Sequence, residues 1–178
     1  VAINELTPMQ ESMLYHKRLY PNSSEYTVQV DLSVNEDIHI ETLYKALNHL
    51  AENHGSLRAN IIYTGVNEPR EVVLDRVVYE SMVYDYSMEE NSDHMIEVIK
   101  KQEIHRGFDL ENETLLRIIV CTQADGMRVI ITFHHIILDG WSCMLFIRKL
   151  FETYERLLAG SRTDSKYENI QGEYGKYI

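Results

Sequence analysis

Apolar residues recur at helical spacing in several stretches of this chain and crowd into short β-rich runs between them. The first helical stretch spans Thr7 to Tyr20: Thr7 is a good N-cap, Pro8 suits the first helical position, Gln10 completes a capping box, and Pro21 stops the helix. Tyr26 to Val34 alternates in part and predicts a strand. Ile40 to His54 predicts a second helix, with Ile40, Leu43, Leu47, Leu50 and Ala51 on one face and Gly55 as its stop. Asn60 to Tyr84 holds short β-rich runs broken at Gly65 and Pro69. Ser92 to Arg106 predicts a third helix, with Met95, Ile96 and Ile99 inward and Gly107 closing it. Leu115 to Cys121 and Met127 to Phe133 are apolar strands joined across Asp125-Gly126, a hairpin signal. Gly140 to Ala159 carries the strongest helical pattern, with Met144, Ile147, Phe151, Tyr154 and Leu158 as its stripe and Gly160 at its end. Tyr167 to Ile178 has a fainter helical pattern. This mixture of strands and helices predicts an α/β fold, a mixed β-sheet flanked by helices.

Composition narrows the class. The 178 residues are 44% hydrophobic and 25% charged, one domain's worth of chain that can bury a core. With 17 Lys and Arg against 28 Asp and Glu, the net charge is −11, which argues against nucleic acid or an anionic membrane as a partner. No apolar run approaches the roughly 18 residues of a membrane span. Val1 to Asn4 lacks the basic and apolar parts of a signal peptide and an initiator Met, so the expectation is an excised or processed piece. Cys121 lies in an apolar run and Cys143 in an apolar helix. Both read as reduced core residues, and the expected location is cytoplasmic.

The candidate chemistry lies in Phe133-His134-His135-Ile136-Ile137-Leu138-Asp139-Gly140-Trp141-Ser142. Two histidines leave a buried strand, an Asp-Gly turn follows, and a long helix begins. Neighbouring side chains of an extended segment point to opposite faces, so one histidine should enter the core and the other should face a cavity. The helix start near Gly140 offers free N–H groups and a positive dipole end suited to a developing oxyanion. A histidine titrates near neutrality and can move a proton or hold an amine. Two His and one Asp could instead bind a metal, but opposed side chains cannot share one ion and no further ligand cluster is evident.

These residues resemble the core motif of the condensation domains of nonribosomal peptide synthetases, and His-x-x-x-Asp-Gly also marks the wider superfamily that includes chloramphenicol acetyltransferase. Other stretches follow in the family's order. Leu6 to His16 resembles the first motif, with Ser12 where Gly is common. Asn53-His54-Gly55-Ser56-Leu57-Arg58 resembles the second, with Asn53 and Gly55 where Arg and Glu are usual. Phe108-Asp109-Leu110 followed by Leu115-Leu116-Arg117 is a further family stretch, with Thr114 replacing a usual Pro.

The resemblance implies a chloramphenicol acetyltransferase-like lobe spanning residues 1–178, the amino-terminal one of two lobes that enclose a tunnel, with the carboxy-terminal lobe absent from this chain. It implies amide-bond formation between a donor acyl or peptidyl thioester and an acceptor aminoacyl thioester. Donor and acceptor carrier proteins bring both on phosphopantetheine arms, and no cofactor binds this lobe. By the same resemblance His135 is the active histidine and His134 a structural one. Asp139 pairs with Arg58 and holds the loop, Gly140 supplies an N–H near the reacting carbonyl, and Trp141 and Ser142 shape the tunnel wall and helix start. A free-standing acyltransferase and a non-catalytic docking lobe are the competing readings. An epimerisation domain shares the two histidines, but Gly140-Trp141-Ser142 fits condensation better.

Overall fold

Strands β6 (Leu116–Gln123) and β7 (Gly126–His134) carry side chains that are buried almost without interruption. Strands covered on both faces read as continuous apolar runs rather than alternating ones. A computed structural model describes residues 1–160 and shows how each face is used. The helix expected at Tyr167 to Ile178 lies outside the described residues.

The two strands form the centre of a four-stranded sheet in the order β2-β7-β6-β5, with β2 at Thr27–Val34 and β5 at Met82–Asp85. Pairing is antiparallel except between β5 and β6, which makes the sheet mixed, as expected. Ile118, Val120, Val129, Ile131 and Phe133 join a core with helices α2 (Ile40–Asn53) and α4 (Gly140–Leu158). Ile119, Cys121 and Ile130 point the other way, toward Ile96 and Ile99 of α3 (Ser92–Arg106). The result is a sheet between two helices on one side and one on the other. A second sheet, in the order β1-β4-β3, packs beside it, with β1 at Ala2–Glu5, β3 at Ala59–Ile62 and β4 at Arg70–Val73. Helix α1 covers Pro8–Leu19, with the capping box intact: the Gln10 N–H donates to Thr7 Oγ1 at 3.2 Å, and the Thr7 N–H donates to Gln10 Oε1 at 2.9 Å.

Charged groups also hold α3 to the sheet. Asp31 of β2 accepts from Arg128 of β7 and from Lys100 Nζ of α3, the latter at 2.8 Å. Burial opposes the Asp31 carboxylate, yet these two cations keep its pKa below the usual range.

Three expectations need correcting. Gly55 does not end α2; it opens a 3₁₀ turn, Gly55–Arg58, that leads into β3. The hairpin loop is Ala124-Asp125, one residue earlier than expected, because Gln123 pairs with Gly126. The stripe of α4 is rotated: Cys143, Phe146, Leu150, Thr153 and Tyr154 are buried, while Met144 and Leu158 are 64% and 52% exposed. Residues 143–147 are all apolar, so periodicity allowed either face, and packing against α2 and the sheet selected one.

Gly126 is needed for two reasons. Its φ of 150° disfavours a side chain, and a Cβ there would lie 2.6 Å from the carbonyl oxygen of Val34, at the end of β2 beside the start of β7. Gly126→Ala is therefore expected to lower unfolding free energy by about 1–3 kcal/mol, measured by urea denaturation of this chain. An unchanged value would mean the hairpin accommodates the methyl group by shifting its register.

Candidate active site

The ladder between β2 and β7 ends at the pair Thr27 and His134. There the chain parts from its two neighbours in turn. The His134 N–H donates to the Leu115 carbonyl at 2.9 Å, toward β6, and the His135 N–H donates to the Tyr26 carbonyl at 2.8 Å, toward β2. The two histidines are buried unequally. His134 is 4% exposed, and its Nδ1 accepts the Ile136 N–H at 3.1 Å. Burial pushes its pKa down to about 4, with Lys17 and His135 adding repulsion, so the ring is neutral, with its proton on Nε2.

His135 is half-buried on the opposite side. Its Nδ1 is shielded from solvent and, among the described residues, has no hydrogen-bond partner. Nε2 is therefore the nitrogen available to a substrate. The next three side chains, Ile136, Ile137 and Leu138, are 5–9% exposed and pin the loop to the core. Gln10 Nε2 reaches the Ile136 carbonyl from α1 at 3.4 Å and donates to Glu71 at 3.0 Å.

Asp139 then caps α4. Its Oδ1 accepts the Ser142 N–H at 2.6 Å, and its carbonyl accepts the Cys143 N–H at 2.9 Å. The bond from Ser142 lowers the Asp139 pKa, and the nearby His135 contributes. Gly140, as the first helical residue, has an N–H without an intrahelical acceptor. Trp141 is 76% exposed beside it.

A buried histidine, a presented histidine and a capped helix start thus share one end of the sheet. The profile of the family described as Condensation domain matches residues 2–178. The chain belongs to the condensation-domain family. Surfactin synthase subunit 2 of Bacillus subtilis (strain 168) is 36% identical over 179 residues, covering 97% of this chain and 5% of that protein. Tyrocidine synthase 3 of Brevibacillus parabrevis is 33% identical over 181 residues, covering 99% of this chain and 3% of that protein. The starter condensation domain of rhizomide synthetase RzmA superposes with a TM-score of 0.82 at 16% identity, over 90% of this chain and 41% of that one. The first condensation domain of the calcium-dependent antibiotic synthetase, in complex with substrate analogue 2a, gives a TM-score of 0.82 at 19% identity, over 90% and 39%. At these identities the structural likeness establishes the fold. The chain therefore spans about two-fifths of these solved domains and a small part of the curated relatives.

One pairing expected of a condensation domain is not formed. Among the described residues no ion pair joins Arg58 to Asp139. The Arg58 guanidinium instead donates to two main-chain carbonyls, Ala51 through Nε at 2.7 Å and Leu74 through Nη1. It ties the end of α2 to the chain after β4, and the Leu74 N–H returns a bond to the Arg58 carbonyl at 3.0 Å. Asp139 needs no cation because the first turn of α4 supplies N–H donors and a favourable dipole.

The contacts of Gln10 and Tyr26 with the histidine loop were missed from the sequence. Gln10 read only as a capping residue, and a main-chain carbonyl such as that of Tyr26 carries no sequence signal. The two cysteines are buried and unpaired, as expected, and burial raises the Cys121 thiol to about 11, which keeps it protonated. Among the described residues no helix is long and apolar enough to cross a membrane.

Two outcomes follow from this geometry. His134 binds its proton less readily when folded, so its contribution to stability is complete above pH 6.5 and is lost as pH falls toward 4. Its replacement by Asn retains an acceptor for the Ile136 N–H but removes the titration. The difference in unfolding free energy between wild type and His134→Asn should shrink by about 2–3 kcal/mol across that window, read from denaturant titrations at several pH values. Parallel curves would contradict the buried neutral ring. Separately, Asp139→Ala should cost about 1 kcal/mol as a lost cap and Arg58→Ala about 1–3 kcal/mol as lost bonds to carbonyls. The double variant should show their sum within about 0.5 kcal/mol. A coupling well above that would restore the direct pair.

Proposed function

We propose that this chain is the amino-terminal lobe of a condensation domain and supplies the reacting histidine of a nonribosomal peptide synthetase. The reaction joins a donor acyl or peptidyl thioester to an acceptor aminoacyl thioester, both delivered on phosphopantetheine arms by carrier proteins. The observation that carries this reading is His135, held by its own N–H on Tyr26, half-buried, and close enough to Asp139 at the start of α4 to help lower that carboxyl's pKa. Trp141 and Met144, exposed on the first turns of α4, leave apolar surface of the kind one wall of a tunnel would carry. A second lobe outside this chain would form the other wall, and the two-fifths coverage of solved condensation domains supports that division.

The chemistry asks little of the protein. The acceptor nitrogen attacks the thioester carbonyl, the C–N bond forms, and the C–S bond breaks to leave a thiolate. The proton lost by nitrogen ends on the thiolate or on water. Thiolate leaves readily, so bringing two tethered substrates together supplies most of the rate. His135 lacks the carboxylate that would hold a proton on Nδ1, because Asp139 is committed to capping α4. Its Nε2, the nitrogen left for substrate, is suited to orient the amine through a hydrogen bond more than to act as a strong base. The Gly140 N–H stands at a helix start, where developing negative charge on the carbonyl oxygen is favoured.

The test uses the complete parent domain with loaded donor and acceptor carriers. His135→Ala should lower turnover by about 10²-fold or more with little change in melting temperature. A Cβ at Gly140 would meet no atom within 4 Å in this lobe, so Gly140→Ala should leave stability unchanged and still slow the reaction by crowding the substrate. Full turnover in His135→Ala would overturn the assignment.

A further inference from the structure

We propose that Tyr26 and Phe108 are positioning residues for this reaction: they bracket the buried His134 between two aromatic rings and thereby fix where the adjoining His135 stands. The proposal rests on the reading of His135 as the reacting histidine. The Tyr26 ring lies 6.2 Å from the His134 ring, tilted by 47°, and the Phe108 ring meets it edge to face at 6.3 Å and 89°. Both distances fall within the range of productive aromatic pairs.

Each ring of the bracket is itself backed by a polar group. His16 of α1 stands edge-on to Tyr26 at 5.3 Å and 88°, and its Nε2 lies 2.5 Å from Glu25 Oε2. On the other side the Arg117 guanidinium sits 3.9 Å over the centre of the Phe108 ring. Arg117 is only 5% exposed and is held by Glu103 at 2.6 Å and by the Gly107 carbonyl at 2.9 Å. A guanidinium is costly to bury, and an apolar side chain would fill the same space at less cost. Its place over the ring gives the cation a role there, anchoring Phe108 through cation–π attraction.

The bracket acts on His135 through the main chain. His134 and His135 share a planar peptide unit, so rotation of one residue redirects the other. The hydrogen bonds of these two backbone N–H groups run to opposite neighbours, which ties the backbone of the strand end on both edges and leaves ring packing to fix the His134 side chain. Tyr26 grips both: its ring contacts His134, and its carbonyl accepts the His135 N–H at 2.8 Å. Because His135 has no partner on Nδ1, no side-chain bond sets its direction, and the strand end must do so.

The experiment uses the complete parent condensation domain with loaded carriers. Tyr26→Leu, and Phe108→Leu as a variant that keeps most of the core volume, should lower kcat about tenfold while KM for each carrier stays within about twofold. Tyr26→Phe keeps the ring and should retain wild-type kcat. Histidine-selective NMR gives a second readout that needs no reaction: the His135 ring signals should shift or broaden in Tyr26→Leu and stay in place in Tyr26→Phe. Unmoved His135 signals in Tyr26→Leu, or a kcat loss that only tracks the folded fraction on melting, would overturn the proposal. If the wild-type domain joins no carrier-bound substrates, the proposed function fails, and the NMR comparison alone decides the bracket.

Discussion

Main-chain pairing of β7 with β2 on one edge and β6 on the other continues through His134 and runs out at His135. A central strand buried on both faces cannot leave its N–H and C=O groups without partners. The residue at its end is therefore fixed as firmly as the core, while the next one is released toward solvent. That difference makes two adjacent histidines unlike. One is sealed in, neutral and bonded to the Ile136 N–H; the other keeps a ring nitrogen available. The apolar run Ile136 to Leu138 then returns to the core, which brings Asp139 and Gly140 back to the same end of the sheet.

The division of labour between Asp139 and Arg58 shows how local geometry overrides a distant partner. The free N–H groups of a helix start lie within a few residues of the carboxylate and are already oriented by the chain. A guanidinium from another element must be brought there and desolvated. Asp139 takes the local solution, and Arg58 uses its planar donors to join main-chain carbonyls at the ends of two segments. Both residues still brace the site, through separate contacts. Asp139, committed to the helix start, does not orient His135, which separates this arrangement from a nucleophilic triad.

Likeness to condensation domains at 16–19% identity with TM-scores of 0.82 also has a physical basis. Interiors tolerate extensive hydrophobic exchange when volume and pattern are kept. What cannot drift freely is the set of positions where backbone approaches backbone or a polar group is buried, such as Gly126 against Val34 or Asp31 beneath Arg128 and Lys100.

From the sequence alone came the capping box of α1, the exact span of α3, the α/β class and the unequal burial of His134 and His135. Each depends on residues close in the chain, where spacing and side-chain chemistry act directly. The buried arc of α4, the register of the β6–β7 hairpin, the partner of Asp139 and the contacts of Gln10 and Tyr26 with the histidine loop came only from the folded chain. Residues 143–147 offered an apolar arc wider than one face, and the sheet and α2 chose the part to bury. Pairing with Gln123 placed Gly126 inside a strand, close beside Val34. A carbonyl such as that of Tyr26 is the same group in every residue, so only the path of the backbone decides which N–H it meets.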